Sequence, residues 1–162
     1  MTSARSRWRV GIDDRLARVP RYRAALLRSM SEFGDDFELE GFVAAYDSTD
    51  PDTINAVTAV EGDLGHIVNW LRQIGELGYH ELVRLGRIEK SDDGPLEGLV
   101  EAGLLTAADR SRLTDLVTLR NRLQHDYPGV TPVQIHAAVG LLLETLPRLI
   151  ERYVAMIERI DA

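Results

Sequence analysis

At 162 residues, with 44% hydrophobic and 28% charged side chains, the chain is expected to form one soluble globular domain, residues 1–162, with a real core. Zero cysteines exclude disulfides and thiolate metal sites, which is compatible with a reducing cytoplasm, and four dispersed histidines without His-x3-His or Glu-x-x-His spacing predict no metal and no cofactor. The formal charge of −7 is unhelpful to a nucleic-acid binder, no uninterrupted apolar run of about 18 residues predicts a membrane span, and the basic start lacks the apolar stretch of a secretory signal.

Residues 1 to 7 are polar and basic and are expected to fray. A first helix is predicted from about Gly11 to Phe33, with Val10, Leu16, Val19, Leu26, Leu27, Met30 and Phe33 as candidate core. Pro20 predicts either a kink or a fresh helix start, and Gly34 a C-cap. Residues 1 to 28 hold eight arginines against Asp13 and Asp14, whereas residues 29 to 71 contain no Lys or Arg. That asymmetry fits either a basic groove on an acidic body or a mixed, solvated surface. Phe37, Leu39, Phe42, Val43 and Tyr46 predict a short helix in an acidic connection.

Asp50-Pro51 is a strong helix start, and the stripe Ile54, Val57, Leu64, Ile67, Val68, Leu71, Ile74 and Leu77 predicts a helix to about Leu85. Gly62, Gly65, Gly75 and Gly78 weaken it singly but allow a neighbouring helix to come close. His66 and His80 on this element read as boundary or surface histidines. Gly86 to Gly94 has turn residues and little to bury, which predicts a mobile loop. Pro95 to Ala102 predicts a short helix closed by Gly103. Thr106-x-x-Asp109 and Thr131-x-x-Gln134 are capping boxes for the last two helices, the second with Val130 and Ile135 placed as a hydrophobic staple and Pro147 as a kink. The fold class is all-α, an up-down bundle of four to five helices.

The densest chemistry is Arg120-Asn-Arg-Leu-Gln-His125-Asp-Tyr127. Leu113, Leu116, Val117 and Leu123 form an apolar stripe that also contains Arg120, so the arginine must snorkel or find a partner in a sheltered place. Pro128-Gly129 predicts that the helix stops just past Tyr127. The pattern Arg-x4-His-x-Tyr, with Asn121 after the arginine, resembles HEPN-domain toxins of the HepT type, and the likeness extends from about Pro95 through Ile160. The N-terminal half fits only in its helical character.

Residues five apart on a helix differ by about 140° around its axis, so Arg120 and His125 converge only where the helix ends or across two chains. Cleavage of RNA by its own 2′-hydroxyl needs a base, an acid for the leaving oxygen, and cationic stabilisation of the phosphorane. Arg120 suits the last role, and two copies of His125 in a C2 homodimer would supply both protonation roles. Asn121 is a candidate to orient the phosphate or His125, and Arg122 to hold a flanking phosphate. The resemblance implies a metal-independent endoribonuclease whose Arg120 and His125 form a composite site across a homodimer. It also implies that Tyr127 is where a cognate MNT-type nucleotidyltransferase antitoxin attaches AMP. Two alternatives stand beside this. Arg120, His125 and Tyr127 can be a structural arginine, a helix-dipole partner and a packing wedge. Alternatively, the chain is a non-catalytic HEPN-like module that binds nucleotides or works with a nucleotidyltransferase.

Overall fold

The computed structural model describes residues 4–125 and 129–162. Among these residues it is all-α, with six helices: α1 (Arg7–Met30), α2 (Leu39–Ala45), α3 (Pro51–Arg84), α4 (Pro95–Glu101), α5 (Ala107–Gln124) and α6 (Pro132–Asp161). Four are long and two have seven residues each, so the expected count of four to five is exceeded by one short helix. A 3-10 turn at Ser31–Phe33 extends α1.

The long helices alternate in direction. Ser6, Arg15 and Tyr22, in ascending order, meet Glu81, Gln73 and His66 in descending order, so α1 and α3 are antiparallel. Asp109 at the start of α5 pairs with Arg152 late in α6, while Tyr153 and Met156 of α6 meet Gly75 and Gly78 of α3 in parallel. The topology is therefore up-down, with α3 touching all five other helices or their flanks. This explains why α3 carries the longest apolar stripe in the chain.

Glycine spacing on α3 sets how closely α6 approaches. A Cβ at Gly75 would lie 2.9 Å from both the Tyr153 hydroxyl and Leu96, and one at Gly78 would overlap Met156. Tyr153 is fully buried and its hydroxyl donates to the Leu71 carbonyl at 2.5 Å, which satisfies the one polar atom that this large side chain brings inside. Among the described residues α6 is the one helix long and apolar enough, by length and composition, to cross a membrane. In the bundle its apolar face is committed to the core through Leu142, Leu149 and Tyr153.

Several local expectations are corrected. The N-terminal segment is anchored from at least Arg5: Arg5 pairs with Asp13, and Ser6 caps α1 by accepting from the Arg9 amide at 3.1 Å. The Ser6 hydroxyl also donates to Glu81 at 2.7 Å, so α1 begins four residues before Gly11. Pro20 lies inside a continuous α1, so no fresh helix starts there, while Pro147 lies within α6, a placement compatible with a kink. Residues 86–94 form a tethered connection, not a free loop. The Tyr79 hydroxyl accepts from the buried Ser91 amide at 2.8 Å, and Arg87 and Arg159 each donate to the other's carbonyl. Val10, Leu27 and Ile54, expected in the core, are exposed. Both capping boxes are present, and Gly34 and Gly103 terminate their elements with φ of 96° and 74°. The acidic connection is closed by the rings of Phe33, Phe37, Phe42 and Tyr46, with His136 stacked on Phe37 at 4.6 Å.

Candidate functional site

The Thr106–Asp109 capping box fixes the start of α5, and helical spacing from there buries Leu113 and Leu116 against the bundle. Arg120 follows Leu116 by one turn and faces the same way. It lands on α3 at Gly65, where a Cβ would stand 3.6 Å from the Arg120 Cγ. Gly62, one turn earlier, has open space where its Cβ would be. The two glycines leave a cleft of about 160 Å³ between α3 and the end of α5, lined by Glu61, Gly62, Gly65, His66, Arg120, Leu123 and Gln124.

Arg120 is half-buried, and its Nε is shielded from solvent with no hydrogen-bond partner among the described residues. Its guanidinium donates to the Asn121 side chain at 3.2 Å, a neutral acceptor, and it forms no ion pair among the described residues. Burial, together with the positive charge of Arg72, pulls its pKa down from the ordinary arginine value. Arg72 sits on the α3 stripe that continues Gly65 and Asn69, and it donates to Asn69 at 3.0 Å and to Glu76 at 2.9 Å. The acids nearest the cleft are engaged or disfavoured. Glu61 accepts from the Tyr46 hydroxyl at 2.5 Å, and burial raises the Asp63 pKa, with His66 partly opposing. Burial and Glu61 together push the Tyr46 phenol far up, so it remains a donor.

His66, read from sequence as a boundary residue, lines the same cleft as Arg120. Its ring is exposed yet held: it stacks on Trp70 at 5.6 Å with 20° between planes, and Tyr22 meets it edge-on at 5.4 Å. Neither His66 nor Arg72 stood out in the sequence. Only the antiparallel register of α3 and α5 reveals that Gly65, His66 and Arg72 lie near residue 120. The remaining motif residues lie at the helix end. His125 is the exposed C-cap of α5, its amide donating to the Asn121 carbonyl at 3.3 Å. Asn121 is exposed, and Arg122 lies in the last turn, where a cation opposes the negative helix end. α5 thus ends at Gln124, one of the two conditions under which Arg120 and His125 can converge. Tyr127 and Pro128 lie outside the described residues.

Three of the eight arginines in the basic N-terminal segment, Arg5, Arg9 and Arg18, form ion pairs. Arg9 is buried and bonds Asp161 at 2.9 and 3.0 Å as well as Asp13, while Arg18 pairs with Asp14. Among the described residues no group of three or more His, Asp or Glu side chains is arranged to hold a metal ion. No known family model, curated protein or solved structure matches the chain.

Proposed function

We propose that the chain is the toxin of a toxin–antitoxin pair, a metal-independent endoribonuclease of the HepT type acting as a homodimer in the cytoplasm. The observation that carries this reading is Arg120: a motif arginine held in a concave cleft with an unpartnered buried Nε and no acidic partner among the described residues. A shielded donor of a half-buried cation left so is costly unless a ligand completes it, and phosphate oxygens match its fork. In the reaction the 2′-oxygen attacks the adjacent phosphorus as a base removes its proton. The 5′-oxygen leaves with a proton from an acid, giving a 2′,3′-cyclic phosphate. Arg120 would stabilise the pentacovalent charge, and His125 from each protomer would carry the protons. AMP attached to Tyr127 by an MNT-type nucleotidyltransferase would place an anion where the substrate phosphate binds.

The test is cleavage of single-stranded RNA by the full chain in EDTA. Cyclic-phosphate ends are expected, with Arg120→Ala and His125→Ala folded but losing most activity. If His125→Ala cuts as well as the native protein, the catalytic assignment is wrong. The net charge of −7 would then favour the alternative, a non-catalytic nucleotide-binding or interaction module.

A further inference from the structure

Two features of the α3–α5 cleft go beyond the Arg-x4-His motif. The first is its chemistry. Arg120 on one wall faces an α3 segment whose residue 65 lacks a side chain and whose residue 66 is a histidine. The second is that this histidine is preset. Trp70 under its ring and Tyr22 at its edge restrict an exposed side chain that would otherwise sample several rotamers. A ring held in this way loses less entropy when it meets a ligand. The charges that face it are Arg120, Glu61 and Asp63, and Glu61 is already occupied by Tyr46. Arg72, one turn beyond Asn69, adds positive charge behind Arg120 and is oriented by Glu76 and Asn69. Arg18, paired with Asp14, stands 5.7 Å over the Trp70 ring.

We propose that His66 is a phosphate-contacting residue: the cleft holds one phosphate group between the Arg120 guanidinium and the His66 imidazole. This deepens the reading of Arg120 as a phosphate-holding residue and rests on it. It also means that each protomer carries its own complete anion site, to which a partner's His125 is added.

The experiment follows the ring C–H NMR signals of the four histidines in the full chain while inorganic phosphate is added. His66→Gln identifies the His66 signals. They should move saturably, whereas those of His80 and His136 stay still, and Arg120→Gln should weaken the response by at least about tenfold. His66→Asn, which keeps a polar side chain but cannot carry charge, should weaken phosphate binding measured by 31P line broadening, by less than Arg120→Gln does. His66 signals that do not respond to phosphate, or that respond equally in native and Arg120→Gln proteins, overturn the proposal. Phosphate binding without RNA cleavage would refute the nuclease reading and leave this site standing. RNA cleavage with a silent His66 would do the reverse.

Discussion

Replacing Arg120 by methionine separates a functional arginine from a structural one, because the two roles predict opposite signs. Methionine keeps an unbranched stem over Gly65, where the Arg120 Cγ packs, but removes the guanidinium. The change eliminates a buried, unpartnered Nε and the repulsion from Arg72. An unsatisfied buried donor costs about 1–3 kcal/mol. Against this stands the loss of one hydrogen bond to Asn121 at 3.2 Å, which lies in an exposed position and is worth about 0.5 kcal/mol at most. The expected net is a gain of about 1 kcal/mol, or roughly 2–4 °C in Tm for a chain of this size. Urea denaturation should show a higher midpoint with an unchanged slope. RNA cleavage should be lost in the same protein, the usual trade at a site kept unsatisfied for its ligand. A loss of 1 kcal/mol or more would refute the reasoning, since Arg120 would then be holding the bundle together.

Gly75→Ala should cost about 1 kcal/mol, because overpacking against Tyr153 and Leu96 outweighs the helix-propensity gain, while Gly62→Ala, with open space there, should gain up to about 1 kcal/mol in the same urea assay. Tyr153→Phe should lose about 1 kcal/mol for the buried bond to Leu71 without changing the far-UV circular dichroism. Acid should destabilise the fold through Glu81 and Asp161, whose pKa values are held down chiefly by hydrogen bonds from Arg84 and Arg9. Their stabilisation is present above the ordinary carboxylate pKa of about 4 and is lost as pH falls through their lower folded values, so Asp161→Asn should flatten the stability profile below about pH 4. Intact-mass analysis after incubation with a nucleotidyltransferase partner and ATP should show AMP added to the native chain and not to Tyr127→Phe; equal gains would place the modification elsewhere.

The helices were legible because their boundaries are written in local chemistry. Asp50 before Pro51, Thr106 with Asp109, and Thr131 with Gln134 cap in the structure as their spacing predicts. Where the outcome depends on a distant partner, local reading fails. Ser6 gives no sign that Glu81, 75 residues away, will anchor it, and nothing near Ser91 announces that the Tyr79 hydroxyl will accept its amide. Amphipathic spacing also overstates the core at rims, as at Val10 and Ile54, because the width of a buried face depends on how many neighbours a helix has. Arg120 illustrates both sides. Its place on an apolar stripe was readable, but the glycine wall, His66 and Arg72 that give it a chemical setting belong to a helix some fifty residues earlier.

A chain with a charge of −7 can still hold a phosphate, because what matters at a 160 Å³ cleft is which charges remain uncommitted there. The arginine-rich start looks like the basic surface of the molecule, yet Arg5 and Arg18 pair locally with Asp13 and Asp14, and Arg9 ties the start of α1 to Asp161 at the end of α6. Around Arg120 the balance runs the other way. Glu61 accepts from Tyr46, Glu76 pairs with Arg72, and burial raises the Asp63 pKa, with His66 partly opposing. None of these acids forms an ion pair with Arg120 among the described residues, and its guanidinium donates only to a side-chain amide. Electrostatic repulsion from the acidic body is screened over a Debye length of about 8 Å at physiological salt, whereas contacts inside the cleft are not. Under the proposed reading, local commitment of charge, and not the sum over the sequence, would set the preference of this cleft for an anion.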